Sequence, residues 1–217
     1  MSSEKNEDIV TTILKNLTEK IKKQKNDIEC LKLGLLEEIH NIRLYGYLFT
    51  RDYIDSKHSL LYYAIKYGMI DVIKQTISPI YDIEHDCIYL TNSTPLIIPS
   101  VEGKSTKVVE MLLNMGSNIN VIDDFKRTPL IYASANGQNG IVKCLLDHGA
   151  NVDIKCDDGF NAIFYACQYY FDYIVEILLE SGANPDVVND FGDTPLGWAK
   201  KNKNKKIIKM LIDYMPK

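Results

Sequence analysis

The side chains that could do chemistry are few and scattered along this chain. Two adjacent carboxylate pairs, Asp123/Asp124 and Asp157/Asp158, have the residue types of a general acid–base couple. Five cysteines (Cys30, Cys87, Cys144, Cys156, Cys167) and four histidines (His40, His58, His85, His148) have those of nucleophiles or zinc ligands. Their spacing argues against each use. No two cysteines form Cys-x-x-Cys, and no His-x-x-x-His or mixed Cys/His cluster is present. An odd number of dispersed cysteines reads as small buried thiols in a reducing compartment. The carboxylate pairs fall at the same place in successive copies of a repeating unit, where they read as exposed turn residues. No Gly-rich phosphate loop, Gly-x-Ser-x-Gly or kinase signature occurs. The expectation is a chain that is not an enzyme and needs no metal or cofactor.

What positions those carboxylates is the repeat itself. Thr128-Pro129-Leu130 returns as Thr194-Pro195-Leu196, with Asn161-Ala162-Ile163 as an altered copy midway, a period of 33 residues. "GIVKCLLDHGANVD" at 140–153 aligns without a gap with "YIVEILLESGANPD" at 173–186. Upstream, Thr94-Pro95-Leu96 precedes "KVVEMLLNMGSNIN" at 107–120, and Ala64 and Gly68 align with Ala133 and Gly137. Thr128 has the hydroxyl of a helix cap, and Pro129 suits the first helical position, where no donor is needed. Leu130, Ala133 and Ala135 begin a short first helix. Gly137 supplies the reversal, and Ile141, Val142, Leu145 and Leu146 form the apolar stripe of a second helix ended by Gly149. "ANVDIKCDDG" then runs out as a polar finger with turn chemistry.

These motifs resemble the ankyrin repeat over about residues 56–215. The resemblance implies an all-α solenoid of about five helix-turn-helix units with β-hairpin fingers, stacked so that neighbours bury a continuous core. The units fall at about 56–90, 91–123, 124–156, 157–189 and 190–217, giving a repeat region of 51–217. One departure is consistent: the family's His after Thr-Pro-Leu is Ile97, Ile131, Phe164 and Gly197 here. "SPIYDIEHDCIYLTNS", after Ile77, lacks the repeat ending and is expected to be an irregular loop.

Residues 1–50 lie outside the repeat. Val10, Leu14, Leu17, Ile21, Ile28, Leu31, Leu35, Ile42 and Tyr45, with Gln24 and Glu38 as the only polar residues on the seam, alternate steps of four and three, which predicts helix over 8–45. Two outcomes stay open: a coiled-coil homodimer, or a helical cap folded on the first repeat. The opening "MSSEKNEDIV" lacks a signal-peptide pattern, and no apolar run is long enough for a membrane span. Apolar residues at 46 % and charged residues at 25 % are ordinary for a soluble domain. The formal charge of −4 hides an asymmetry: residues 51–199 hold 20 acids against 10 Lys/Arg, while 200–217 hold seven lysines against Asp213. An acidic body argues against nucleic acid and for a basic partner.

The expected function is therefore a protein-binding scaffold or adaptor in the cytoplasm, with a nuclear or host-cell setting as alternatives. The resemblance implies binding at the finger tips and the exposed edge of each first helix. In this chain those are Asp124, Phe125, Arg127, Ala135 and Asn136; Asp157, Asp158, Phe160, Gln168 and Tyr169; and Asp190, Phe191, Asp193, Lys201 and Asn202. The alternatives are a structural protein that self-associates through the N-terminal heptads, and a host-directed effector. The Lys-, Asn-, Ile- and Tyr-rich composition is similar to that of ankyrin proteins from protists, large DNA viruses and intracellular bacteria. The F-box-like segment that many poxviral relatives carry after the last repeat has no counterpart here, so a ubiquitin-ligase adaptor is not expected.

Overall fold

The computed structural model describes residues 64–76, 95–103 and 105–216. The chain divides into two compact units, Met1–Ile98 and Pro99–Lys217. The predicted helix over 8–45, its dimer or cap role, the boundary at residue 50 and the irregular loop after Ile77 lie outside the described residues. In the first unit, helix α1 (Ile70–Thr76) follows a turn in which the Met69 amide donates to the Ala64 carbonyl at 2.8 Å. Ala64, Ile65, Met69, Val72 and Ile73 are all buried.

Short helix pairs make up the rest: α2 (Ile97–Glu102, which runs across the division) and α3 (Thr106–Asn114), α4 (Pro129–Ala135) and α5 (Asn139–Asp147), α6 (Ala162–Gln168) and α7 (Asp172–Glu180), α8 (Pro195–Lys201) and α9 (Lys205–Tyr214). The Thr-Pro-Leu segments start helices for the reason their chemistry suggests. Thr128 Oγ1 accepts from the Ile131 amide at 3.2 Å, and Thr194 Oγ1 from the Gly197 amide at 3.0 Å, with proline opening each helix. Asn161, in the same register, makes no cap bond; it is fully buried and neither of its amide atoms has a partner. On the second helices, Leu112, Leu145, Leu178 and Leu211 occupy one equivalent, fully buried position. Ala133, Ala166 and Ala199 are small, fully buried residues on the first helices.

The reversal inside each unit places one residue in the left-handed region: Gly137 (φ 70°), Tyr170 (φ 66°) and Lys203 (φ 57°). Two of the three are not glycine. The closing bonds are the same in all: Gln138, Phe171 and Asn204 amides donate to the Ala133, Ala166 and Ala199 carbonyls at 3.0–3.1 Å. Gly137 is required for a further reason, since a Cβ there would lie 2.6 Å from the Phe171 ring.

No strand occurs among the described residues, so the fingers are tight turns rather than paired β-ladders. Each closes on itself: Asp123, Cys156 and Asn189 amides donate to the Arg127, Phe160 and Asp193 carbonyls at 3.1, 2.8 and 3.1 Å. Between units, Asn and Asp side chains tie the loops that follow the second helices. Asn120 Oδ1 accepts from the Asn151 amide at 2.9 Å, and Asp153 Oδ1 from the Asn184 amide at 3.4 Å.

Candidate functional site

The base of each finger is built around one side chain in a 33-residue register: Asp123, Cys156 and Asn189. Asp123 Oδ1 accepts from the Phe125 and Arg127 amides at 2.9 and 2.7 Å, and its Oδ2 from the Tyr132 hydroxyl at 2.6 Å. Asn189 Oδ1 repeats the turn bonds, to Phe191 and Asp193 amides at 3.0 and 2.8 Å. Cys156 has no such oxygen, and its thiol lies 3.9 Å from the Tyr165 hydroxyl. The partner on the first helix keeps register as well: Tyr132, Tyr165, Trp198. Burial, then the Asp123 bond, pushes the Tyr132 phenol up to about 12; burial and Cys156 do the same for Tyr165. These are turn-locking contacts. The Asp123 carboxylate, with three donors on it, holds the turn.

Cys144, Cys156 and Cys167 are free and buried. Burial raises Cys144 to about 11 and Cys167 to about 12, so both stay protonated at neutral pH and are poor nucleophiles.

The finger tips are brought into one row. Asp124, Asp157 and Asp190 share a register and are all exposed. Adjacent fingers are joined by the Asp157 amide donating to the Phe125 carbonyl at 3.1 Å and the Asp190 amide donating to the Asp158 carbonyl at 3.3 Å. The fit is close enough that a Cβ on Gly159 would meet Asp190 at 2.6 Å. Phe125 is 59 % exposed and Phe191 69 % exposed. Asp158, in the same register as these two, and Asp193 are exposed beside them.

Two expected contact residues sit differently. Phe160 is half-buried because it falls two positions later in register than Phe125 and Phe191, where the chain re-enters towards α6. Its ring meets Phe164 edge-on at 5.2 Å, Tyr165 at 5.7 Å and Phe191 at 6.2 Å. Arg127 is also half-buried, with Nε 3.5 Å from Asp123 Oδ2 and its guanidinium stacked 4.4 Å from the Phe125 ring centre and 5.3 Å from that of Tyr132. It props Phe125 outward.

The helix-end residues form a second group, removed from the tips by the length of a first helix, about 10 Å. Asn136 and Tyr169 are exposed C-caps, and Gln168 beside Tyr169 is half-buried. The Asn202 side-chain Nδ2 donates to the Gln168 carbonyl at 3.3 Å. Lys201 lies over the Trp198 ring at 4.8 Å. Tyr170, next to Tyr169, is exposed as well.

Lys126 is the residue that motif reading missed. It holds φ at 57° where Gly159 and Gly192 stand in register, and its ammonium pairs with Asp157 at 2.8 Å. That pairing raises its pKa. The signal was available: strict 33-residue phasing sets a lysine against two glycines.

Fold and site together define a helix-turn-helix repeat array whose charged and aromatic side chains are displayed along one row of turns. The chain matches the family model for ankyrin repeats (3 copies) over residues 61–156, 100–189 and 164–217, and it belongs to the ankyrin-repeat family. Ankyrin repeats are generally protein–protein interaction modules and are typically non-catalytic. No curated protein matches this chain.

Proposed function

We propose that this protein is a non-catalytic scaffold that holds a basic protein partner along the fingers and first-helix ends of its third to fifth repeats. The observation that carries the reading is the joined finger row. Exposed Phe125 and Phe191 stand beside Asp124, Asp157 and Asp190 on turns tied to one another by backbone bonds. The aromatic rings supply contact area at low entropic cost, and the acids orient and steer a basic surface. A cytoplasmic setting belongs to this reading, because the described cysteines are free packing thiols.

Affinity capture with mass spectrometry identifies the partner. Phe125→Ala and Phe191→Ala should each weaken its binding by more than about 1 kcal/mol. Replacing Asp157, Asp158, Asp190 and Asp193 by Asn should flatten the salt dependence of the association rate. Unchanged affinity in both phenylalanine variants overturns the assignment of this face.

A further inference from the structure

The second helices of units three and four, α5 and α7, leave a groove of about 330 Å³ between them. Its lining is graded by burial. Leu146 and Ile177 are half-buried and form the base; Tyr173 stands beside them, 47 % exposed. Lys143, Asp147, Glu176 and Glu180 are exposed around the rim. The rim thus sets three carboxylates against one ammonium. Among the described residues, none of these four charges is in an ion pair.

The 33-residue register shows what is particular to this groove. The position of Tyr173 is Gly140 one unit earlier and Lys206 one unit later. The equivalent positions on α3 and α5 hold Glu110 and Asp147 against Lys143; those on α7 and α9 hold Glu176, Glu180 and Asp213 against Lys206 and Lys209. Among these three pairs, only α5 and α7 combine a ring at that position with an excess of two carboxylates. A cation on a long apolar stem matches the combination: the stem covers Leu146 and Ile177 while the head reaches the rim. A guanidinium fits better than an ammonium, because it bonds carboxylates in pairs and stacks on an aromatic face. A phosphate or an acidic lipid headgroup would be repelled by the three carboxylates.

We propose that the groove between α5 and α7 receives an arginine side chain from a basic segment of another protein. This surface is separate from the finger row, since no finger or first-helix residue lines it. The test titrates the full, isotopically labelled chain with a short blocked alanine peptide carrying a pair of arginines, followed by amide chemical shifts. Saturable shifts are expected on α5 and α7. The double change Glu176→Gln with Glu180→Gln should weaken binding at least about tenfold. Tyr173→Ala should weaken it about threefold, and Tyr173→Phe, which keeps the ring, should not. All three positions are exposed, so the melting temperature should hold. Replacing Asp157, Asp158, Asp190 and Asp193 by Asn should leave this binding intact; loss of binding in that variant would move the peptide to the finger row and overturn the groove assignment alone. Absence of saturable shifts, affinity unchanged by the glutamate pair, or equal or tighter binding of the matching lysine peptide also overturns the proposal.

Discussion

Phe160 and Phe191 are the same residue type 31 positions apart, yet register gives them opposite roles. Phe160 packs on Phe164 and Tyr165, so Phe160→Ala should lower stability by about 1–3 kcal/mol in urea unfolding, below the loss for a fully buried ring. Phe191→Ala, at an exposed tip, should stay within about 0.5 kcal/mol. Asn161 shows the reverse of a good cap: a buried amide with no partner, in the place of Thr128 and Thr194. Asn161→Thr should gain about 1 kcal/mol by restoring a hydroxyl that the Phe164 amide can use. The tyrosines set an alkaline limit. Tyr132 holds its proton to about 12 when folded, against 10.0 for the free side chain. The folded state thus binds that proton more tightly, so its contribution is complete below pH 10 and is lost as pH rises towards 12. Tyr132→Phe should lower the melting temperature at neutral pH, through loss of the Asp123 bond, and make its fall between those two pH values shallower. Tyr165 should keep part of that slope.

At the scale of the helix pair, the reversal between the two helices separates conformational need from steric need. Tyr170 and Lys203 hold the same left-handed backbone as Gly137. The left-handed angle is therefore tolerated in this turn by side chains that point to solvent. Gly137 meets a second constraint, the ring of Phe171 from the next unit. Gly137→Ala should then cost about 1–3 kcal/mol, combining backbone strain and overpacking, as measured by thermal unfolding. Phe171→Leu in that background should recover part of the loss if the ring contact is its main source.

For the array as a whole, stability is close to a sum of units and their interfaces. Leu145 and Leu211 occupy one equivalent, fully buried position, but Leu145 lies in a unit with neighbours on both sides and Leu211 in the last described one. Leu145→Ala should cost about 2–5 kcal/mol and reduce amide protection across α4 to α9. Leu211→Ala should expose α8 and α9 to hydrogen exchange while leaving α4 and α5 protected, because a unit with a described neighbour on one side only can open without the units before it. Equal loss of protection throughout in both variants would show that Pro99–Lys217 unfolds as a single cooperative block.

Composition, period and cap chemistry were enough to determine the family, the helix pairs and the buried leucine position. Those features depend on residues within one 33-residue unit, and local sequence encodes them directly. Thr128, Leu145 and Gly149 do in place what their types imply. What the finger aromatics do was decided only by the tertiary structure. Phe160 turned inward because Phe164, Tyr165 and Phe191 surround it, and Arg127 became a prop because Asp123 and Tyr132 hold its guanidinium. Those contacts join different helices and units. The same holds for the bonds between neighbouring loops and the Lys126–Asp157 pair. A residue's type and spacing say which neighbours it can accept; which neighbour arrives depends on how one unit is laid against the next.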